Sequence, residues 1–474
     1  MSLASRRRFL ASLLPLAGHR ALPFAASLAA MSQAVAASDD YKALVCVFLT
    51  GGNDSHNTVL ARDPASWRAY QAARNTRDRI SIALGLPGQA NGMLPLWPGT
   101  AHAGRDFGLH PQLDPLRQLF DNKRAAIVAN VGTLLAPLTK AEYLRQSRVP
   151  PRLLSHIDQQ IAWQSCLTEG GRQGWGGRLG DLLASANANA GFTCISSAGQ
   201  TLFLNGNGQN QYQIGATGTV PVHGLDSAIL SAPRHPWRAV VSANHSNLLE
   251  QEYANLVRQA LAAQARLEPA LPPAGAGGVA TPPGYVSPLN HQTLPNPLAL
   301  QLQTVARLIA ARRTLGMRRQ VFFVSLPGFD THDSQTARHA ELLARLAHGI
   351  AYFDQLLANL GGSNLRDQVT LFTASDFGRT LSSNGDGTDH GWGGHHFVVG
   401  GAVRGREIYG SFPALDAGHE RDIGRGALLP QFSVEQYGAT LAGWFGLSAG
   451  QLADVFPNLS NFSQHNLGFM LAPT

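Results

Sequence analysis

The sequence predicts an α/β fold built on a mainly parallel sheet, and three observations carry that expectation. Short, continuous apolar runs rich in β-branched residues recur along the chain and stop at glycine or polar residues, as strands buried on both faces do. Long stretches with apolar residues at helical spacing lie between them. The composition, 44% hydrophobic and 14% charged over 474 residues, suffices for a large core and excludes wholesale disorder.

The first strand-like run is residues 43–49 (ALVCVFL), stopped by Thr50-Gly51-Gly52. Residues 125–131 (AAIVANV) end at Gly132, and residues 320–326 (QVFFVSL) and 369–374 (VTLFTA) repeat the type. Residues 396–399 lead into Gly400-Gly401. Helical spacing runs over residues 247–267, over 298–315 behind Pro297, and over 340–360. Strands alternating with long helices are the signature of a parallel sheet with crossover helices. The Pro/Gly/Ala-rich stretch 268–297 reads as a loop. The length fits about three average domains, or one large α/β domain with insertions.

The N-terminus reads as an export signal. Ser5-Arg6-Arg7-Arg8-Phe9-Leu10 precedes a mildly apolar run broken by His19 and Arg20, and Ala34-Val35-Ala36-Ala37 is a small-residue cleavage site. The arrangement resembles a twin-arginine signal over residues 1–37, with residues 38–474 as the mature, periplasmic or secreted chain. Residues 1–37 hold four Arg and no acid, so their removal lowers the net charge from +7 to +3. That surface argues against a nucleic-acid partner. The pairs Arg312-Arg313 and Arg318-Arg319 read as the solvated end of a helix. Cys46, Cys166 and Cys194 have no CxxC spacing, which argues against a thiolate zinc site, and no run of about 18 apolar residues suggests a membrane span.

Ligands of open parallel sheets bind at the carboxyl ends of the strands. The residues just past each strand are therefore informative. Gly51-Gly52-Asn53-Asp54-Ser55-His56 follows the first strand, Gly328-Phe329-Asp330-Thr331-His332-Asp333 the run ending at Leu326, and Ser375-Asp376-Phe377-Gly378-Arg379 the run ending at Ala374. Gly387-Thr388-Asp389-His390-Gly391 leads toward His395-His396 and the last run. Carboxylates with imidazoles are the ligand set of zinc, manganese or iron, and two such groups suit a two-metal site. Each motif alone also has a structural reading: a turn at Gly51–Asp54, helix caps at Asp330 and Asp376, an Asp376–Arg379 pair. The joint placement at strand ends is what favours a site.

These motifs (LTGGNDSHNT, GFDTHDSQ, TASDFGRT, NGDGTDHGWGGHHFVVGGAVRG and the closing FPNLSNF) resemble the secreted bacterial family known only as domain of unknown function 1501, over nearly all of the mature chain. That family is grouped with the alkaline phosphatase-like superfamily. The resemblance implies a three-layer α/β/α sandwich and one or two divalent ions, zinc or manganese, used for phosphoryl or sulfuryl transfer from a small anionic ester. It implies Asp54, Asp330, His332, Asp376 and His390 as metal ligands. Two departures stand out: Phe377 replaces a paired His, and Asp376 replaces the family's usual Glu. Alternatively Asp389-His390 is the Asp-His pair, with His395 or His396 as last ligand.

The resemblance places the nucleophile at Ser155 in LLSHIDQQ, with Thr58 or Ser55 as rivals, and gives Arg379 the developing charge. Cys166 and Cys194 lack a sulfatase nucleophile's context and read as core residues. With Phe377 in place, one ion is expected to bind more tightly than the other. The competing expectation is a fold-retaining protein that binds a ligand or protein partner without catalysis.

Overall fold

The computed structural model describes residues 40–76, 80–102, 104–167, 170–216, 218–219, 236–276 and 278–472. The export signal expected over residues 1–37 lies outside the described residues. Six strands of the principal sheet position the site: β1 (Lys42–Thr50), β2 (Ala125–Gly132), β3 (Cys194–Ser196), β4 (Arg319–Pro327), β5 (Val369–Ser375) and β6 (Gly394–Val399). Their spatial order is β2-β6-β5-β1-β4-β3, extended by shorter strands at both edges. Strand β1 is central and pairs in parallel with β4 and β5, in register from Lys42↔Arg319 to Thr50↔Pro327 and from Ala43↔Val369 to Leu49↔Ser375. All five apolar runs are strands. Residues 394–399 alone among the six run antiparallel, to both β5 and β2.

Both faces of β1 are covered, which is why its sequence is apolar without alternation. Leu44, Cys46 and Phe48 join a core with Trp175 and Leu179 of helix Trp175–Leu183 and Tyr437 and Leu441 of helix Val434–Phe445. Ala43, Val45, Val47 and Leu49, on the opposite face, are equally buried. Helix Pro297–Ala310 packs against β4 and against helix Gln335–Leu357. A mainly parallel sheet between helices is the three-layer α/β/α arrangement expected.

Further helices bear on the site: α1 (Pro64–Arg74) and α2 (His156–Ser165). Residues 268–297 are loop in the main, but helix Leu248–Ala270 runs into them and Tyr285–Val286 pairs with Thr293–Leu294 as a short hairpin. Arg312 and Arg319 are buried, at 3% and 9% exposure, which corrects the expectation of a solvated arginine run. The chain folds back onto both, with Arg312 donating to Ile309 O and Arg319 to Arg318 O. All three cysteines are buried and free, as expected of core residues. No helix among the described residues is long and apolar enough to cross a membrane.

Candidate metal centre

Because β4 and β5 flank β1 in parallel, the residues following all three strands meet at one edge of the sheet. Gly51 sits at the crossing. Its φ is +118°, and a Cβ there would stand 2.3 Å from Asp330 N, so the close approach requires glycine. Its N–H donates to Asp376 Oδ1 at 3.1 Å, and its carbonyl accepts from Arg379 Nη1 at 3.1 Å. The turn after β1 thus ties together the two carboxylate-bearing turns beside it.

Three imidazoles converge on Asp330. His156 Nε2 lies 3.4 Å from Asp330 Oδ2, while His332 Nε2 and His390 Nε2 lie 3.1 and 3.3 Å from Oδ1. His332 Nε2 and His390 Nε2 are 2.9 Å apart. Two of the rings are held from behind by hydrogen bonds through Nδ1, and the third faces a carboxylate there. His156 Nδ1 donates to Asp376 Oδ2 at 2.8 Å, His390 Nδ1 donates to Leu154 O at 2.8 Å, and Asp389 Oδ1 lies 3.5 Å from His332 Nδ1. A ring that donates through Nδ1 carries its lone pair on Nε2. Outer acceptors of this kind fix the tautomer of metal-binding histidines.

The electrostatics agree. Burial pushes the His390 imidazole below its ordinary pKa, against the opposing pull of the Leu154 carbonyl, which keeps the ring neutral and able to ligate. Burial opposes ionisation of Asp330, but the hydrogen bond and charge of Arg379, with His332 and His156, outweigh it and hold the carboxyl below its usual range. A carboxylate among imidazoles suits a divalent cation such as zinc. Among the described residues, His156, Asp330 and His390 form the one group whose donor atoms are close enough to share an ion.

The remaining candidates fall around this centre in other roles. Asp376, buried, accepts from His156 and from Gln160 Nε2 at 2.9 Å, so it backs a ligand. Asp389 accepts from Asn384 at 2.9 Å and pairs with Arg425. Arg379 donates from Nη1 to Asp330 at 2.9 Å, from Nε to Thr388 Oγ1 at 2.9 Å, and from Nη2 to Thr388 O. That guanidinium is committed to holding Asp330. Ser155 is the N-cap of α2, and its hydroxyl donates to Asp158 Oδ2 at 2.5 Å. Phe377 is buried and packs its ring 4.9 Å from that of His156 and 4.6 Å from that of His390, walling the site at the position where a paired histidine was expected.

Asp54 does not join the group. Both its oxygens are taken by Arg74, with Gln335 Nε2 at 2.6 Å and the His56 N–H at 3.1 Å completing its shell. A fully buried guanidinium neutralises this carboxylate, leaving it no need of an ion. His395 and His396 are corrected likewise: His395 Nδ1 accepts from Asn130 N at 3.0 Å, and His396 packs between Trp163 and Tyr437. Burial pushes the His396 pKa down to about 3. Thr58 donates to Asp54 O at 2.8 Å, and Ser55 Oγ accepts from His395 N at 2.8 Å.

His156 joins this group although the sequence does not single it out: it stands in the first turn of helix α2, and nothing local aims its ring at Asp330.

No curated protein matches this chain. Among solved structures, Ps i-CgsB is similar at 11% identity, covering 90% of this chain and 77% of that one with a TM-score of 0.36. The same protein in complex with k-i-k-neocarrahexaose gives 9% identity, the same coverage and a TM-score of 0.33. A protein described under the metabolism of multiple glycosaminoglycans by Bacteroides thetaiotaomicron gives 11% identity, 88% and 74% coverage and a TM-score of 0.33. Superpositions this loose do not bear on chemistry. The family profile described as protein of unknown function (DUF1501) matches residues 41–424, and the chain belongs to that family.

Proposed function

We propose that this protein is an exported, metal-dependent hydrolase of phosphate or sulfate esters. The observation that carries the reading is the convergence of three imidazoles, two of them hydrogen-bonded through Nδ1, on the Asp330 carboxylate. A divalent ion held there would polarise an ester oxygen and neutralise developing charge. Asp330, His156 and His390 are its proposed ligands, with His332 beside them, and Arg379, Asp376 and Asp389 act as positioning residues. One ion per chain is expected, because Phe377 closes one side and Asp54 is spent on Arg74.

Ser155 is the proposed nucleophile. It precedes His156 at the helix start, where the N-terminal dipole favours an anion. Its Oγ would bond to phosphorus or sulfur as the ester oxygen leaves, the hydroxyl proton passing to Asp158 and the leaving oxygen taking a proton from water; attack by water on the Ser155 ester would then release the acid and restore the hydroxyl. Export is proposed on the Arg6-Arg7 motif and the Ala34–Ala37 cleavage site.

The test is metal content with activity. Protein purified from the export compartment should carry about one divalent ion and hydrolyse aryl phosphates or sulfates. His390→Ala should lose both properties, and Ser155→Ala should lose activity while keeping the ion. Protein that binds no divalent ion when stripped and titrated by calorimetry would overturn the reading and favour the non-catalytic alternative. Arg6→Lys with Arg7→Lys should strand the precursor in the cytoplasm, and normal export would refute the twin-arginine route.

A further inference from the structure

A second cavity opens beside the metal centre. It has a volume of about 330 Å³, within the range of small-molecule clefts. One wall is the face of α2 made by Ile157, Gln160, Ile161 and Gln164, at the i, i+3, i+4, i+7 spacing that aligns side chains along a helix. The helix thus starts with the ligand His156 and continues as the cleft wall. Gln160 belongs to both, since its Nε2 donates to the same Asp376 oxygen that anchors His156. The opposite wall comes from Thr50 and Ser325, at the carboxyl ends of β1 and β4, and from Gln200 and Thr201.

The chemistry of this lining is one-sided. It contains three amides and three hydroxyls, with aliphatic and phenyl carbon between them, and no ionisable side chain. Amides and hydroxyls both donate and accept hydrogen bonds. Gln164 is held in place: its Oε1 accepts from Thr201 Oγ1 at 2.8 Å and from Phe203 N at 2.9 Å, which turns its amide N–H groups to other partners. Thr50 Oγ1 and Ser325 Oγ are 3.0 Å apart and present a hydroxyl pair at the rim. A second anionic group would find no cation here, and a purely apolar group would strand the amides without partners.

We propose that this cleft binds the non-reacting part of the substrate, and that this part is an uncharged, polyhydroxylated group: a neutral sugar or polyol carrying a single phosphate or sulfate. The inference rests on the hydrolase reading for the position of the ester, but binding in the cleft can be measured without turnover. Hydroxyls would meet the amides of Gln164 and Gln200, and the C–H faces of the ring would lie against Ile157 and Ile161. Discrimination is then expected against esters carrying a second anionic group and against esters too small to reach the cleft.

Metal-loaded protein is assayed on glucose 6-phosphate and glucose 6-sulfate, on methyl phosphate and methyl sulfate, and on fructose 1,6-bisphosphate. The neutral-sugar monoesters should exceed the others at least tenfold in kcat/KM. Ile157 is 72% exposed, so Ile157→Trp fills the cleft without touching the core. It should remove the preference for the neutral-sugar monoesters, and Gln200→Glu should weaken the sugar monoesters by charge repulsion. Saturation-transfer NMR with methyl glucoside supplies a binding readout independent of catalysis, lost in Ile157→Trp. Methyl-ester turnover with no sugar preference, or a preference for the bisphosphate, overturns the cleft assignment and leaves the hydrolase standing. Glucoside binding with no turnover of any ester keeps the cleft and overturns the hydrolase.

Discussion

Replacing Arg74 with methionine isolates the most heavily buried charge pair in the described structure. Arg74 and Asp54 side chains are both 0% exposed and are joined through two guanidinium nitrogens. Removing the cation strands an ionised carboxylate, which costs about 3–5 kcal/mol when a buried pair is broken from one side. It also frees the carbonyls of Leu381 and Thr380, which accept from Arg74 at 2.6 and 3.0 Å, and each buried acceptor without a donor adds about 1–3 kcal/mol. A loss of at least about 5 kcal/mol at neutral pH is therefore expected, read by urea unfolding. The pH dependence supplies the sign. Burial raises the Asp54 carboxyl and Arg74 more than offsets it, so the folded pKa lies below the ordinary range. That stabilisation is present above the unfolded pKa of about 3.9 and is lost as pH falls below it. In Arg74→Met burial loses its strongest opponent, the carboxyl pKa rises, and the deficit relative to wild type should shrink as pH drops from 7 toward 4. Adding Asp54→Asn removes the stranded charge and keeps an acceptor for one of the two donors, Gln335 or His56, and should recover about half the loss. A single-variant deficit below about 1 kcal/mol, or one independent of pH, would refute the account.

Asp376→Asn leaves the strand end intact but weakens the acceptor behind His156, so divalent-ion affinity should fall about 10–100-fold by calorimetry with the fold unchanged by circular dichroism. Unchanged affinity would mean that Asp376 serves only Gly51 and Gln160. Gly51→Ala places a methyl 2.3 Å from Asp330 N at a φ of +118°, and at least about 2 kcal/mol of unfolding stability should be lost together with ion binding. Glu435 is 2% exposed, and burial lifts its carboxyl from 4.5 to about 7, against the opposing hydrogen bond from Asn458. The folded protein then holds a proton that the unfolded chain releases. Stability should fall by about 3 kcal/mol as pH rises through the window from 4.5 to 7, at about 1.36 kcal/mol per unit. Glu435→Gln should remove that slope, and parallel pH profiles for the two proteins would contradict it.

The strands were legible because a strand buried on both faces needs nothing but contiguous apolar residues, a property written locally at 43–49, 125–131, 320–326 and 369–374. Helix periodicity is local in the same sense, and Asn247 and Asn296 cap two of the expected helices with their own side chains. The direction of residues 394–399 was not local: antiparallel pairing with β5 and β2 depends on how the chain returns through the Arg379–Ser383 and Thr388–His390 hairpin.

At the site, residue types and strand-end positions singled out Asp330, His332, Asp376, Asp389 and His390, but which would face a common point was decided by neighbours distant in the chain. Asp376 and Asp330 follow equivalent strands, yet His156 lies against the first and three Nε2 atoms point at the second, so one carboxylate positions a ring and the other becomes the centre of an imidazole cluster. Asp54 carries the same strand-end signature, and only the fold brings Arg74 from helix α1 into contact with it. A sequence records the chemistry available at the end of each strand. Whether a carboxylate meets a cationic side chain, an imidazole or an open face depends on which turns the sheet order makes adjacent, and that is settled by long-range packing.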